Sequence, residues 1–110
     1  RAGLWNAWYR FDHHTGRVEK CTAGLTHSLL EPQFVPRHAD APEGDGYVIG
    51  VANDHAAGRS ELVIVDAQRF SEGPIGRVLL PFRLHMQVHG WWVPSTELPF
   101  DFDADPDYPG

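Results

Sequence analysis

Residues Tyr47 to Val65 read Y-V-I-G-V-A-N-D-H-A-A-G-R-S-E-L-V-I-V. Two apolar, β-branched runs, Tyr47–Ala52 and Leu62–Val65, flank a polar stretch with Gly58 near its end. Residues of that kind suit a pleated, half-buried surface, and each run has the length of a strand rather than a helix. The pattern predicts an antiparallel pair joined by a loop over Asn53–Arg59. Downstream, Asp66–Gly73 has room for one helical turn, Ile75–Leu80 reads as a third strand stopped by Pro81, and Arg83–Val93 as a fourth stopped by Pro94. Upstream, Ala39–Gly46 is a polar loop and Gln33–Val35 a short strand ended by Pro36. The aromatic run Leu4–Phe11, the turn Asp12–Gly16 and the segment Arg17–Thr22 read as a further hairpin.

Strands recurring about every ten residues with turn signals between them define an all-β antiparallel meander. Eleven glycines and nine prolines fit that class better than a helical bundle. No helix-period pattern of useful length and no internal repeat is visible. A four-stranded antiparallel sheet has the size and order of one propeller blade. Alone, it would leave two open edges and two bare faces, so further sheets are expected beside it. The first residue is Arg1, and the chain is expected to be a processed or excised piece. Residues 1–94 are expected to form the folded region and 95–110 a disordered acidic tail.

Charge narrows the function. The net charge of −6 is concentrated in residues 97–110, which carry Glu97, Asp101, Asp103, Asp105 and Asp107 and no Lys or Arg. The remainder holds ten acidic and nine basic residues, with no basic stripe to neutralise phosphates, so a nucleic-acid partner is not expected. The tail D-F-D-A-D-P-D lacks the glycine and closing glutamate of a calcium-binding EF-hand loop. No apolar run approaches the ~18 residues that read as a membrane span. Cys21 is the only cysteine, which excludes an intrachain disulfide and fits a reducing, cytoplasmic setting. It has no obvious activating neighbour, and no G-x-S-x-G elbow is present.

The segment Leu80–Trp92, L-P-F-R-L-H-M-Q-V-H-G-W-W, carries the chemistry. A neutral imidazole is the commonest transition-metal ligand, and the glycine after His89 allows close approach. Trp91 and Trp92 are read first as core and rim packing, with Trp91 also a candidate wall of an apolar pocket. One histidine cannot hold a metal alone. His85 shares strand parity with His89, but on a regular strand their Cα atoms would lie about 13 Å apart, too far for one ion. His13 and His14 fall in a turn and are expected to be solvated.

Four segments carry a wider resemblance: E-P-Q-F-V-P-R at Glu31–Arg37, E-G-D-G-Y-V-I-G-V at Glu43–Val51, G-R-S-E-L-V-I-V-D-A-Q at Gly58–Gln68, and Leu80–Trp92. In order, spacing and turn residues they resemble the C-terminal end of the carotenoid cleavage oxygenase family, in its lignostilbene dioxygenase-like branch. The resemblance implies the C-terminal blade region of a seven-bladed β-propeller with a non-haem Fe(2+) held by four histidines from different blades. By the family's H-G motif His89 is similar to the fourth of them, and the remaining three are expected upstream, with the rest of the propeller. None of His13, His14, His27, His38, His55 or His85 sits in a matching motif.

Three glutamates orient histidines of that set, and the E-P-x-F-V motif assigns this role to Glu31. A carboxylate accepting an imidazole N–H fixes the tautomer and turns the other nitrogen toward the metal. The interpretation requires Glu31 and His89 to face one surface, with a hydrogen-bonded route between them. The implied reaction is cleavage of a carbon–carbon double bond by O2 into two carbonyl products, with an apolar alkene, stilbene-like or carotenoid-derived, as substrate. Many members carry a proline at His85 and an aromatic at Val88, and the second exchange would reshape the alkene pocket. The alternative is a non-catalytic, truncated β-sheet module without bound metal.

Overall fold

The computed structural model describes residues 5–86 and 89–99, and its regular elements are antiparallel strands and two short 3-10 turns. The central hairpin pairs β5 (Gly46–Asp54) with β6 (Arg59–Asp66). Their register runs from Tyr47 opposite Asp66 to Asp54 opposite Arg59. The turn is closed by Asp54, whose Oδ1 accepts the backbone N–H groups of Ala56 and Ala57, and by Gly58 at φ +67. Only a residue without Cβ adopts that φ readily.

On its other edge β5 is flanked by two short strands in line, β3 (His27–Leu29) and β4 (Gln33–Pro36). Leu30, Glu31 and Pro32 form the break between them, because Pro32 has no N–H to give a ladder. Beyond β6 lie a 3-10 turn over Ala67–Glu72, capped by Asp66, and the edge strand β7 (Pro74–Leu79). The hairpin β1 (Trp8–Phe11) with β2 (Val18–Cys21) forms a separate two-stranded sheet.

Alternation decides which face is covered. Val48, Gly50 and Ala52 of β5 stand opposite Val65, Val63 and Glu61 of β6 and share one face. Trp8 and Cys21 from the hairpin, Leu29 from β3 and Phe70 from the 3-10 turn form one buried cluster with Val63 and Val65 of that face. The hairpin thus supplies the second layer that a lone sheet lacks. Open apolar surface remains along β7, where Ile75, Val78 and Leu79 are each at least half exposed.

Most expected strands are present, with two differences. The expected strand over Arg83–Val93 is absent: among the described residues of that range none is in a strand. β7 pairs Leu79 with Glu61, and β6 begins at Arg59, so the partner strand is nearly exhausted. Without a partner an extended segment gains no ladder bonds, and strand parity no longer relates His85 to His89. Conversely, β3 has no counterpart in the pattern. Its three residues, His27-Ser28-Leu29, show no apolar alternation and are strand only because β5 offers them an edge. A second 3-10 turn covers Ser95–Glu97 in the segment expected to be tail. Among the described residues no helix is long and apolar enough to cross a membrane.

Candidate functional site

The site begins with a tryptophan packed on a glycine. Trp8 is buried, and its Nε1 donates to the Leu30 carbonyl at 2.7 Å. Its ring lies so close over Gly50 that an added Cβ would stand 2.6 Å from Cζ2 and 2.9 Å from Cη2. Leu30 N–H in turn donates to the Val51 carbonyl at 2.9 Å, and the Leu30 side chain is 3% exposed. Glu31 is therefore held between a residue bonded on both sides and a proline of fixed φ.

From this break Glu31 meets His89. Glu31 Oε2 lies 2.8 Å from His89 Nδ1, and Oε1 accepts from Gln33 Nε2 at 3.2 Å. An ionised carboxylate only accepts, so Nδ1 carries the proton of this contact, and in the neutral ring that tautomer leaves the lone pair on Nε2. Among the described residues Nε2 has no hydrogen bond, and the His89 side chain is 85% exposed. The two residues are 58 positions apart and neither is in a strand. Gln33 was not singled out in the sequence. The available signal was its place two residues after Glu31, since i and i+2 of an extended segment share a face.

A second carboxylate–imidazole pair shows what a structural one looks like. His27 Nε2 lies 2.7 Å from Glu61 Oε2, and Arg77 Nη1 donates to the same oxygen at 3.0 Å. Glu61 and His27 are buried or nearly so. A buried carboxylate needs such partners, because desolvating an unpaired charge is prohibitive. The Glu31–His89 pair has no such need. At its exposure such a contact contributes ~0–1 kcal/mol, so it does little to hold the fold together.

The remaining candidates fall elsewhere. Val88 lies outside the described residues. Trp91 and Trp92 are 80% and 48% exposed, so the expected core packing is not found among the described residues. His85 is exposed beside a cavity it shares with His55, Arg83 and Met86. His55 Nε2 pairs with Ser28 Oγ at 2.8 Å. His13 and His14 lie exposed in the turn capped by Asp12. Cys21 is 2% exposed, and burial pushes its thiol up from the usual value, away from the reactive thiolate. Among the described residues no three His, Cys, Asp or Glu side chains converge into a metal site.

The chain has clear relatives among known proteins. The family described as Retinal pigment epithelial membrane protein matches residues 1–94, and the chain belongs to that family, the carotenoid oxygenase family of the sequence resemblance. It is 41% identical over 90% of its length to lignostilbene-alpha,beta-dioxygenase isozyme III of Sphingomonas paucimobilis. It is also 41% identical over 84% of its length to isoeugenol monooxygenase of Pseudomonas nitroreducens. The crystal structure of Pseudomonas brassicacearum lignostilbene dioxygenase superposes with a TM-score of 0.80 at 40% identity over 84% of the chain. The chain covers 19%, 18% and 19% of these three proteins, about a fifth of each.

Proposed function

We propose that this chain is the C-terminal blade region, residues 1–94, of a seven-bladed β-propeller. The propeller would be a non-haem iron(II) dioxygenase that cleaves a carbon–carbon double bond with O2 into two carbonyl products, and residues 95–110 extend from it as an acidic tail. Family membership and the oxygenase names of its relatives support the reaction class. Names drawn from lignostilbene and isoeugenol favour an aryl-substituted alkene, stilbene-like among them, over a carotenoid-derived one.

The observation that carries this reading is the 2.8 Å contact of Glu31 with His89 Nδ1. His89 Nε2 would be one of four ligands, the other three coming from the rest of the polypeptide. Glu31, steadied by Gln33, would hold the Nδ1 proton, fixing the ring's tautomer and orientation so that Nε2 is turned toward the metal. When bound, iron(II) supplies the site that activates O2. Val88 and Trp91 are proposed to contribute to the wall of the alkene pocket. By itself the chain offers one such ligand. The isolated 110-residue chain is accordingly proposed to be a β-sheet module that neither retains iron nor turns over.

The test uses the longest reading frame that carries this chain. Iron content is measured, with carbonyl products formed from hydroxystilbene and apocarotenoid substrates. His89→Ala is expected to abolish iron loading, and Glu31→Gln to weaken iron retention ~10–100-fold. Unchanged iron and turnover in His89→Ala would remove that residue from the site. Wild-type retention in Glu31→Gln would remove the carboxylate.

A further inference from the structure

We propose that Ser60 is a positioning residue for His89, anchoring to β5 the segment that carries the imidazole; this rests on the reading of His89 as a metal ligand. The regular ladder between β6 and β7 stops at Glu61 opposite Leu79. Ser60 takes over beyond it. Its carbonyl accepts the Leu80 N–H at 2.9 Å and its N–H donates to the Phe82 carbonyl at 3.0 Å, spanning Pro81, which has no N–H of its own. Its Oγ accepts the Leu84 N–H at 2.7 Å and donates to Asn53 Oδ1 at 2.5 Å. One residue thus makes three bonds to residues 80–84, a segment with no strand of its own.

Burial makes this anchor directional. Ser60 is 0% exposed and Asn53 5%. A hydroxyl whose proton is committed to Asn53 keeps its lone pairs on Leu84, and a buried amide that lost this acceptor would be left unsatisfied. Asn53 lies on β5 directly opposite Ser60. Two residues earlier on β5, Val51 holds Leu30 and hence Glu31. Leu84, five residues before His89, and Leu30, next to Glu31, are therefore both referenced to one strand, from anchor points about 7 Å apart. Loss of the Ser60 hydroxyl would release the His89 side while leaving the Glu31 side in place.

The experiment compares Ser60→Ala, Ser60→Thr and His89→Ala in the longest reading frame that carries the chain. It reads Fe(2+) retention, the EPR line shape of iron loaded with nitric oxide as a probe, and the 15N shifts that report the His89 tautomer. Ser60→Ala is expected to lower iron retention about tenfold, the lower end of the effect of losing an orienting partner, to alter the EPR line shape and to reduce the Nδ1–H tautomer. Ser60→Thr, which keeps the hydroxyl, is expected to restore all three. Wild-type retention and line shape in Ser60→Ala overturn the proposal, as does equal loss in the threonine variant, which would assign the effect to packing. Should Ser60→Ala fail to fold, Asn53→Ala carries the test, since it leaves the hydroxyl but frees its proton: a partial loss of iron is expected, and full retention overturns the proposal. Iron retained in His89→Ala sinks the ligand reading itself, whatever the serine variants do.

Discussion

Gly50→Ala is the most informative single change away from the imidazole, because it strikes the packing that sets Glu31 in place. The added methyl would stand 2.6 Å and 2.9 Å from two ring carbons of Trp8, well inside normal contact, and 3.3 Å from the Glu31 carbonyl oxygen. The indole cannot swing away freely, since it is 5% exposed and donates to Leu30. Overpacking of this kind costs about 1–3 kcal/mol. If the ring moves, the buried Leu30 carbonyl loses its donor, which costs about 1–3 kcal/mol more. The two are alternatives in part, so a loss of about 2–4 kcal/mol is expected. Urea unfolding followed by tryptophan fluorescence measures it. Trp8→Phe supplies the control, because a smaller ring vacates the space the methyl needs. In that background Gly50→Ala is expected to cost at least 1 kcal/mol less, a coupling that a double-mutant cycle isolates. A change below about 0.5 kcal/mol in the wild-type background, the range of surface substitutions, would refute the claim that Trp8 is wedged on Gly50. So would simple additivity.

Three further outcomes follow from burial and charge. Val63→Ala, at a 0% exposed position, is expected to destabilise by about 2 kcal/mol. Val78→Ala, at a 50% exposed one, is expected to change stability by less than about 0.5 kcal/mol; equal effects in thermal unfolding would contradict the assigned core face. The backbone N–H of Gln68, and then Arg37, hold the Asp66 carboxyl below the usual carboxylate range. A depressed folded value means stabilisation that is full above the unfolded value of about 3.9 and is lost as pH falls through the folded value. Wild-type Tm should therefore fall more steeply than that of Asp66→Asn as the pH is lowered from 5 to 2, and parallel curves would exclude Asp66 as a contributor. Cys21 should react with a thiol reagent only across the unfolding transition, and prompt labelling under native conditions would show that its burial is not maintained.

Strands whose apolar residues alternate against clear turn chemistry were legible directly. β5 and β6 are the plainest case, with the turn supplied by Asp54 and Gly58. The hairpin of β1 and β2 and the edge strand β7 were legible for the same reason. Strand β3 was not, because its pairing is donated by β5 rather than encoded in its own three residues. The expected strand over Arg83–Val93 failed for the opposite reason: its residues suit a strand, but β6 ends before it can serve as partner.

The candidate site divides along the same line. Local sequence determined the chemical types: an imidazole followed by glycine at His89, and a carboxylate before proline at Glu31, each within a short motif. It also determined the break at Leu30–Pro32, since a proline withholds its N–H wherever it stands. Only the tertiary structure brought Glu31 and His89 to 2.8 Å, added Gln33 to the carboxylate, seated Trp8 on Gly50, and made Ser60 the anchor of residues 80–84. Contacts across 58 residues depend on where every intervening strand is paired, and strand pairing is settled by edges and shared faces that no local window of sequence contains.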